Sequence, residues 1–444
     1  MRSEAQSDKT WAAPAAAGAV HASVMLPGSK SITNRALIIA SLAQGPTTIT
    51  GPLEARDTQL MTAAVTALGA RVAARRSEWV VTPGWTGAPA TVDVGNAGTV
   101  LRFVPPVAAL ARADIEFTGD PRASQRPVGE LLAGLRSLGA EIDDGGRGAV
   151  PFMVRGHGRV RGGTARLDAS SSSQLVSGLL LAAPRYETGV VIRHDGPPVP
   201  SAPHIAMTAA MLAAAGAEVE AWSAGSGPAV PDSWRVRPGS LNPGRIDVEP
   251  DLSNAAPFLA AALVTGGQIV IPRWPERSLQ AADQIIDVLT EMGAAVTASP
   301  DGMHIKGTGT IRGISADLRD VSELAPVLTA VAALADAPSE FTGIGHMRLH
   351  ETDRLAALAA EIGALGGDVT ELDDGLRVRP RPLRAGPVPF DSYDDHRLVM
   401  AAAVLGLAVP GLQVVNAQTV AKTFPGFTDV WAGMLGPQKL EPVR

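Results

Sequence analysis

Short polar clusters alternate along the whole chain with Ala/Leu/Val-rich stretches, and each stretch leads into a short strand-like run. The clusters are Ser31-Ile32-Thr33-Asn34, Asn96-Ala97-Gly98-Thr99, Ser171-Ser172-Ser173-Gln174, Asp251-Leu252-Ser253-Asn254, Asp320-Val321-Ser322-Glu323 and Asp394-Asp395-His396-Arg397. Their side-chain oxygens suit the open backbone N–H groups of a helix start, so each cluster predicts an N-terminus followed by a helix of about ten to fourteen residues. A second set of helix-like segments ends in glycine, at Leu68-Gly69-Ala70, Leu138-Gly139-Ala140, Ala215-Gly216-Ala217, Met292-Gly293-Ala294, Leu365-Gly366-Gly367 and Leu435-Gly436. Runs such as Trp79–Thr82, Trp234–Arg237 and Leu376–Arg379, each followed by proline, close the units as strands.

The glycines recur at intervals longer than the roughly 20–50 residues of a solenoid repeat, so each unit is a small layered subdomain of strands and two helices. Six units divide as three plus three at the Gly/Pro-rich stretch 238–244. The pattern therefore predicts two similar α/β domains, with a ligand site in the cleft between them.

Composition narrows the chemistry. A length of 444 residues allows two or three domains with sizeable cores, and a net charge of −6 argues against a broad nucleic-acid or membrane-binding surface. The absence of cysteine removes disulfides, thiolate zinc sites and a thiol nucleophile, and the eight histidines form no metal-binding motif. The first twenty residues lack the apolar core of a signal peptide and read as a disordered tail. Apolar runs fall short of the ~18 residues of a membrane span, so a cytoplasmic protein is expected.

Against the acidic background, basic residues gather at the predicted helix starts: Lys30, Arg35, Arg102, Arg354, Arg397 and Lys422. Capping explains the polar clusters without a ligand, and Glu351 with Arg354 one turn later has the spacing of a helix-surface ion pair. Cations beside several helix N-termini nevertheless point to small anionic ligands, because the dipole and the open N–H groups add to the side-chain charge. Gly28-Ser29-Lys30-Ser31 lacks the P-loop spacing, and no Gly-x-Ser-x-Gly elbow is present.

Seven motifs in order make the pattern more specific: Gly28-Ser29-Lys30-Ser31-Ile32-Thr33-Asn34-Arg35, Gly95-Asn96-Ala97-Gly98-Thr99 with Arg102, Arg126-Pro127, Ser172-Ser173-Gln174, Glu351-Thr352-Asp353-Arg354, Asp395-His396-Arg397 and Ala421-Lys422-Thr423-Phe424-Pro425. In these the chain resembles the 5-enolpyruvylshikimate-3-phosphate synthase branch of the enolpyruvyl transferase family. The resemblance implies two inverse α/β domains, each of three βαβαββ units around buried parallel helices. It also implies that the amino-terminal strand joins the carboxy-terminal domain, giving domains 29–243 and 1–28 plus 244–444.

The implied reaction moves the enolpyruvyl group of phosphoenolpyruvate to the 5-hydroxyl of shikimate 3-phosphate and releases phosphate through a tetrahedral intermediate. It needs no cofactor or metal. By the same resemblance, Lys30, Ser31, Arg35, Ser172, Ser173, Gln174, Ser201, Glu323 and His350 are expected to contact shikimate 3-phosphate. Lys30, Gly98, Arg126, Gln174, Arg354, Arg397 and Lys422 are expected to contact phosphoenolpyruvate. Glu323 is the expected base at the 5-hydroxyl, Glu351 the acid and base at the methylene carbon, and Lys30 a stabiliser of developing charge. Glu323 also reads simply as a helix N-terminal acid beside the dipole.

The chain departs from the family in three places: His350 stands where lysine is usual, Glu323 where aspartate is common and Phe103 where proline is common. Gly98, beside which the family admits glyphosate, is retained, so inhibition is expected. The sister enzyme acting on UDP-N-acetylglucosamine commonly uses a loop cysteine that is absent here. A non-catalytic anion-binding scaffold would not need the paired carboxylates. A monomer acting on small molecules is the expected form.

Overall fold

The computed structural model describes residues 10–75, 77–223 and 230–436. The chain divides into two compact units, Gly28–Glu249 and Met1–Pro27 with Pro250–Arg444.

The Gly28–Glu249 unit has helices α1 (Lys30–Ser41), α2 (Arg56–Ala67), α3 (Gly98–Ala108), α4 (Gly129–Ser137), α5 (Gln174–Ala182) and α6 (Ala202–Ala214). Its three four-stranded sheets share one order. In the second, Ala90–Asp93 runs parallel to Asp114–Thr118, which pairs antiparallel with Phe152–Arg155, and that strand with Glu141–Asp143. The sheet around Gly163–Leu167, Val190–His194, Ser233–Val236 and Val219–Trp222 repeats this register pattern. In the first sheet the leading strand arrives from the far end of the unit, because Arg245–Asp247 pairs parallel with Thr48–Thr50.

The other unit has α7 (Leu252–Thr265), α8 (Ala282–Glu291), α9 (Ala325–Ala333), α10 (Arg354–Ala364), α11 (His396–Ala408) and α12 (Phe427–Leu435). His21–Ser23 leads its first sheet by pairing parallel with Gln268–Val270. Ser315–Asp317 leads the second, and the third is a three-stranded sheet of Thr10–Ala12, Gln413–Val415 and Phe390–Asp391. These are the six repeats anticipated from the glycine periodicity.

The helices that follow the polar clusters are buried all round, as their nearly unbroken Ala/Leu/Val composition requires. The helices that end in glycine are amphipathic covers: α8, for example, buries Ala282, Ile285 and Leu289 at helical spacing. Close packing of α3 on α5 depends on Gly178, where a Cβ would collide with the Arg102 carbonyl oxygen.

Two expectations change. Thr10–Ala12 is a strand on Gln413–Val415, and Ala13 and Val20 are buried, so 10–20 is not a loose tail; the earlier part of that segment lies outside the described residues. Backbone pairing outweighs the Ala-, Pro- and Gly-rich composition there. The boundary falls at 249/250 rather than 243/244, because Arg245–Asp247 completes the first sheet of the unit before it.

Gly178→Ala should destabilise the protein by about 1–3 kcal/mol, since a backbone carbonyl cannot give way without moving α3. Urea denaturation measures it, and a midpoint equal to that of the parent chain would contradict this account of the α3–α5 contact.

Candidate active site

In the Gly28–Glu249 unit, Ser29 caps α1 by accepting the Ile32 N–H, which places Lys30 as the first helical residue. The Lys30 ammonium lies 3.5 Å from the carboxylate of Asp57, a buried residue in the first turn of α2. Arg35, one turn further along α1, points into the unit. It donates to Thr208 Oγ1 at 2.7 Å, the His204 carbonyl at 3.0 Å, the Ser31 carbonyl at 3.0 Å and Ser177 Oγ at 3.4 Å, and lies over the Phe103 ring. Burial pushes its pKa down to about 9, which leaves it charged at neutral pH. Arg35 thus joins α1 to α5 and α6 and holds the backbone at Ser31.

The α3 start is built differently from a capped end. Ala97 offers no side-chain cap, and helical geometry begins at Gly98 with Arg126, Arg102 and Gln174 gathered around it. Arg126 Nη1 donates to the Asn96 carbonyl at 2.7 Å. Arg102 donates to the Pro127 carbonyl at 3.1 Å and to Gln174 Oε1 at 3.0 Å, tying the α3 and α5 starts together. Ser173 is buried at the α5 start, Ser172 Oγ accepts the Gln174 N–H at 3.3 Å, and Ser201 precedes α6 with a left-handed φ of 53°. Fixed cations, hydroxyls and helix N–H groups in one unit can hold a phosphorylated, carboxylated ligand.

In the second unit a buried ion cluster joins the α10 and α11 starts. Arg354 makes a two-pronged pair with Asp395, Nε to Oδ2 at 2.7 Å and Nη2 to Oδ1 at 3.1 Å, with both side chains nearly inaccessible. Glu351 accepts from Arg354 Nη2 at 3.0 Å and from Lys422 Nζ at 2.9 Å. The i, i+3 pair read from the Glu351–Arg354 spacing is therefore present, but Glu351 lies in the loop before α10 rather than on a helix surface, and the pair is buried and shared with Lys422. Asp395 also accepts the Arg397 N–H at 2.8 Å, while the Arg397 guanidinium donates to the Ser253 carbonyl and hydroxyl at 2.8 and 2.6 Å. The Ser253 hydroxyl in turn donates to Asp251. Glu361, on the inner face of α10, accepts from the Tyr393 hydroxyl and the Asp391 N–H, steadying the loop that enters Asp395.

The Asp320–Glu323 cluster does not cap a helix. It folds as a tight 3-10 turn, Arg319–Leu324, that runs directly into α9 at Ala325, so Glu323 stands beside the α9 start as the simpler reading of a helix N-terminal acid expects. Burial pushes the Glu323 pKa up; the nearby Arg397 and Arg354 pull it back and Asp251 adds to the rise. Beside it, His346 meets Ser322 Oγ at 3.0 Å, and burial holds its pKa near 4, so it is neutral at neutral pH. His350 packs edge-on against His346, and its Nδ1 lies 3.1 Å from Arg354 Nη1, which requires an unprotonated Nδ1 that accepts.

The structure thus sorts the anticipated residues into two sets. Lys30, Ser31, Gly98, Arg126, Ser172, Ser173, Gln174 and Ser201 surround helix starts of one unit, and Glu323, His350, Glu351, Arg354, Arg397 and Lys422 surround those of the other. Asp57, Asp395, Ser253 and Glu361 bear on these side chains without having been singled out for it. Asp395 had a signal in its place inside a basic motif, and Ser253 in its polar cluster at a predicted helix start; Asp57 and Glu361 are ordinary polar residues until folding brings them to a charge.

Two units of repeated βαβαββ architecture, with cations at their helix starts, place the chain among proteins of the enolpyruvyl transferase fold. The enolpyruvyl transferase NikO from Streptomyces tendae is similar at 17% identity over 95% of this chain and 96% of that one, with a TM-score of 0.69, a likeness of fold. Two structures of EPSP synthase from Acinetobacter baumannii are similar at 25% identity. One covers 96% of this chain and 98% of its own with a TM-score of 0.79, the other 95% and 97% with 0.76. The chain belongs to the EPSP synthase (3-phosphoshikimate 1-carboxyvinyltransferase) family, whose model matches residues 14–431. It is accordingly a transferase of aromatic amino acid biosynthesis that moves the enolpyruvyl group of phosphoenolpyruvate to the 5-hydroxyl of shikimate 3-phosphate and releases phosphate.

The raised pKa of Glu323 has a stability consequence. Below the unfolded pKa both states are protonated and nothing is lost; as pH rises through the folded pKa the ionised form is penalised only in the fold. Glu323→Gln should therefore gain thermal stability relative to the parent chain as pH rises through that window, then hold the gain. Melting curves at a series of pH values check this, and a pH-independent difference would contradict it.

Proposed function

We propose that Lys30, Ser31, Ser172, Ser173, Gln174 and Ser201, with Glu323 and His350, hold shikimate 3-phosphate, and that Lys30, Gly98, Arg126, Gln174, Arg354, Arg397 and Lys422 hold phosphoenolpyruvate. Arg35 serves the first set by fixing the Ser31 backbone. Arginine suits the second set because its planar fork binds carboxylate or phosphate through two parallel hydrogen bonds. The substrates carry about six negative charges, each phosphate up to ~2 and each carboxylate one. No broad positive surface is needed in a chain of net charge −6, because the cations are concentrated at the helix starts.

Glu323 takes the proton of the 5-hydroxyl as its oxygen bonds to C2 of phosphoenolpyruvate, and the methylene carbon gains a proton from Glu351. The methyl group of the resulting tetrahedral intermediate then returns a proton to Glu351 as the C–O bond to phosphate breaks and the enolpyruvyl double bond reforms, and the departing phosphate takes the hydroxyl proton from Glu323. The observation that carries the first step is the Glu323 carboxyl, lifted in pKa toward the working range of a base and flanked by Arg397 and Arg354. For the second, Glu351 is held by Lys422 and Arg354, two cations that the phosphate and carboxylate of phosphoenolpyruvate compete for. Substrate binding draws those cations away and frees Glu351 to carry a proton. The enzyme works as a cytoplasmic monomer; among the described residues no helix is long and apolar enough to cross a membrane.

Glu323→Gln should retain both substrates but lose about 10²–10⁴ in turnover, the usual contribution of a positioned base. Phosphate release measures it, and near-parental turnover would remove Glu323 from this role. Glyphosate competes with phosphoenolpyruvate in this reading. An alanine Cβ at Gly98 would stand 2.7 Å from Arg126 Nη2, 2.9 Å from Arg102 Nη1 and 3.0 Å from Gln174 Oε1. Gly98→Ala should therefore raise the half-inhibiting glyphosate concentration by about tenfold or more through displaced anion-binding groups. Unchanged inhibition would sink the proposed place of the inhibitor.

A further inference from the structure

His194 closes the strand Val190–His194, where its backbone N–H donates to the Asp232 carbonyl at 2.8 Å and fixes the base of the side chain. The half-buried imidazole bridges two loops: Nε2 lies 2.7 Å from the Pro197 carbonyl oxygen and Nδ1 lies 3.1 Å from the Ala169 backbone nitrogen. A carbonyl can only accept and a backbone N–H can only donate. Nε2 must therefore carry the hydrogen, and Nδ1 must present its lone pair. A protonated ring would turn an Nδ1–H toward the Ala169 N–H and lose that bond.

The two bridged loops carry the serines assigned above. On one side the turn is fully wired: Glu130 accepts the Asp168 N–H at 3.1 Å and Asp168 accepts the Ser170 N–H at 2.8 Å. The Ala169 carbonyl then accepts the Ser172 N–H at 3.0 Å, and Ser172 Oγ accepts from Gln174. On the other side the chain runs from Pro197 to the left-handed Ser201 that begins α6. Gly196 packs on the Asp168 carboxylate so closely that a Cβ would collide with it, so the loops also touch beside the ring.

We propose that His194 is a positioning residue for shikimate 3-phosphate: one neutral imidazole sets the spacing between the Ser172-Ser173-Gln174 loop and the Ser201 loop, and its protonation releases them. The proposal rests on the reading that these loops bind that substrate. Charged groups on the surrounding elements are Glu130 of α4, Arg166 of the adjoining strand, Asp168 just past that strand, Arg193 and Asp195 on either side of His194 in the chain, and Asp232 just before the strand Ser233–Val236.

The test is steady-state kinetics of the full chain from about pH 5.5 to 8.5, with each substrate varied in turn, for the parent protein, His194→Leu, His194→Gln and Ser172→Ala. His194→Leu should raise the KM for shikimate 3-phosphate about five- to tenfold, the weight of one positioning hydrogen bond, with kcat and the KM for phosphoenolpyruvate changed by less than about twofold. His194→Gln, whose amide offers one acceptor and one donor, should restore the parental KM at high pH. The substrate phosphate also takes up a proton as pH falls, so the decisive quantity is the difference between the parent and the Gln variant, and the parental KM should climb more steeply. Nitrogen NMR should show the Nε2–H tautomer.

A parental KM in the Leu variant, superimposable pH profiles for the parent and Gln proteins, or an Nδ1–H tautomer would each overturn the proposal. If the Leu variant does not fold, the Gln comparison and the tautomer signal decide. A normal KM in Ser172→Ala would instead sink the assignment of the serines. A raised KM there with an unaffected His194→Leu would sink the imidazole bridge alone.

Discussion

Arg354 and Asp395 form a two-pronged ion pair out of contact with water, and the chemistry of the second unit is arranged around it. Burying two charges is unfavourable unless geometry and further hydrogen bonds compensate, and here both do. Asp395 also accepts the Arg397 N–H, and Arg354 also holds Glu351 and His350. The pair thus sets the positions of two arginines and a carboxylate, the groups proposed to meet substrate. Its contribution is pre-organisation: anions arriving at this site exchange water for groups already in place.

The repeated architecture makes such an arrangement possible. A helix apolar on every side has to be surrounded, so α3, α5, α9 and α11 are covered by sheets and amphipathic helices. Their starts then become the places where polar groups are both concentrated and rigid. Gly178 lets α5 approach the α3 backbone, and Arg102 bridges the α3 and α5 starts to hold Gln174. Core packing and ligand geometry are consequently linked through the same residues.

Within that frame, one charged residue can be a tool or a joint. Lys30 and Arg35 belong to one motif and one helix, yet Lys30 stands at the helix start beside Asp57, whereas Arg35 is buried among Ser31, Ser177, His204 and Thr208. Glu323 and Glu351 are both acidic, but burial lifts the pKa of the first while two cations grip the second. The different parts proposed for them in proton transfer follow from surroundings rather than from residue type.

The sequence by itself determined the six-unit periodicity, the apolar helices and the motif residues, because helix starts, glycine ends and strand runs are local properties of neighbouring residues. It did not disclose that Thr10–Ala12 would be a strand, that Arg245–Asp247 would complete a sheet nearly two hundred residues earlier in the chain, or that the Glu323 cluster would turn rather than cap. Those outcomes depend on partners distant in sequence, whose backbone hydrogen bonds and burial override local preference. Only the tertiary structure decided which cations were joints, which carboxylates were paired and which histidine lay between two loops. Hydrogen-bond partnership and desolvation are properties of a three-dimensional neighbourhood, and residue spacing does not encode them.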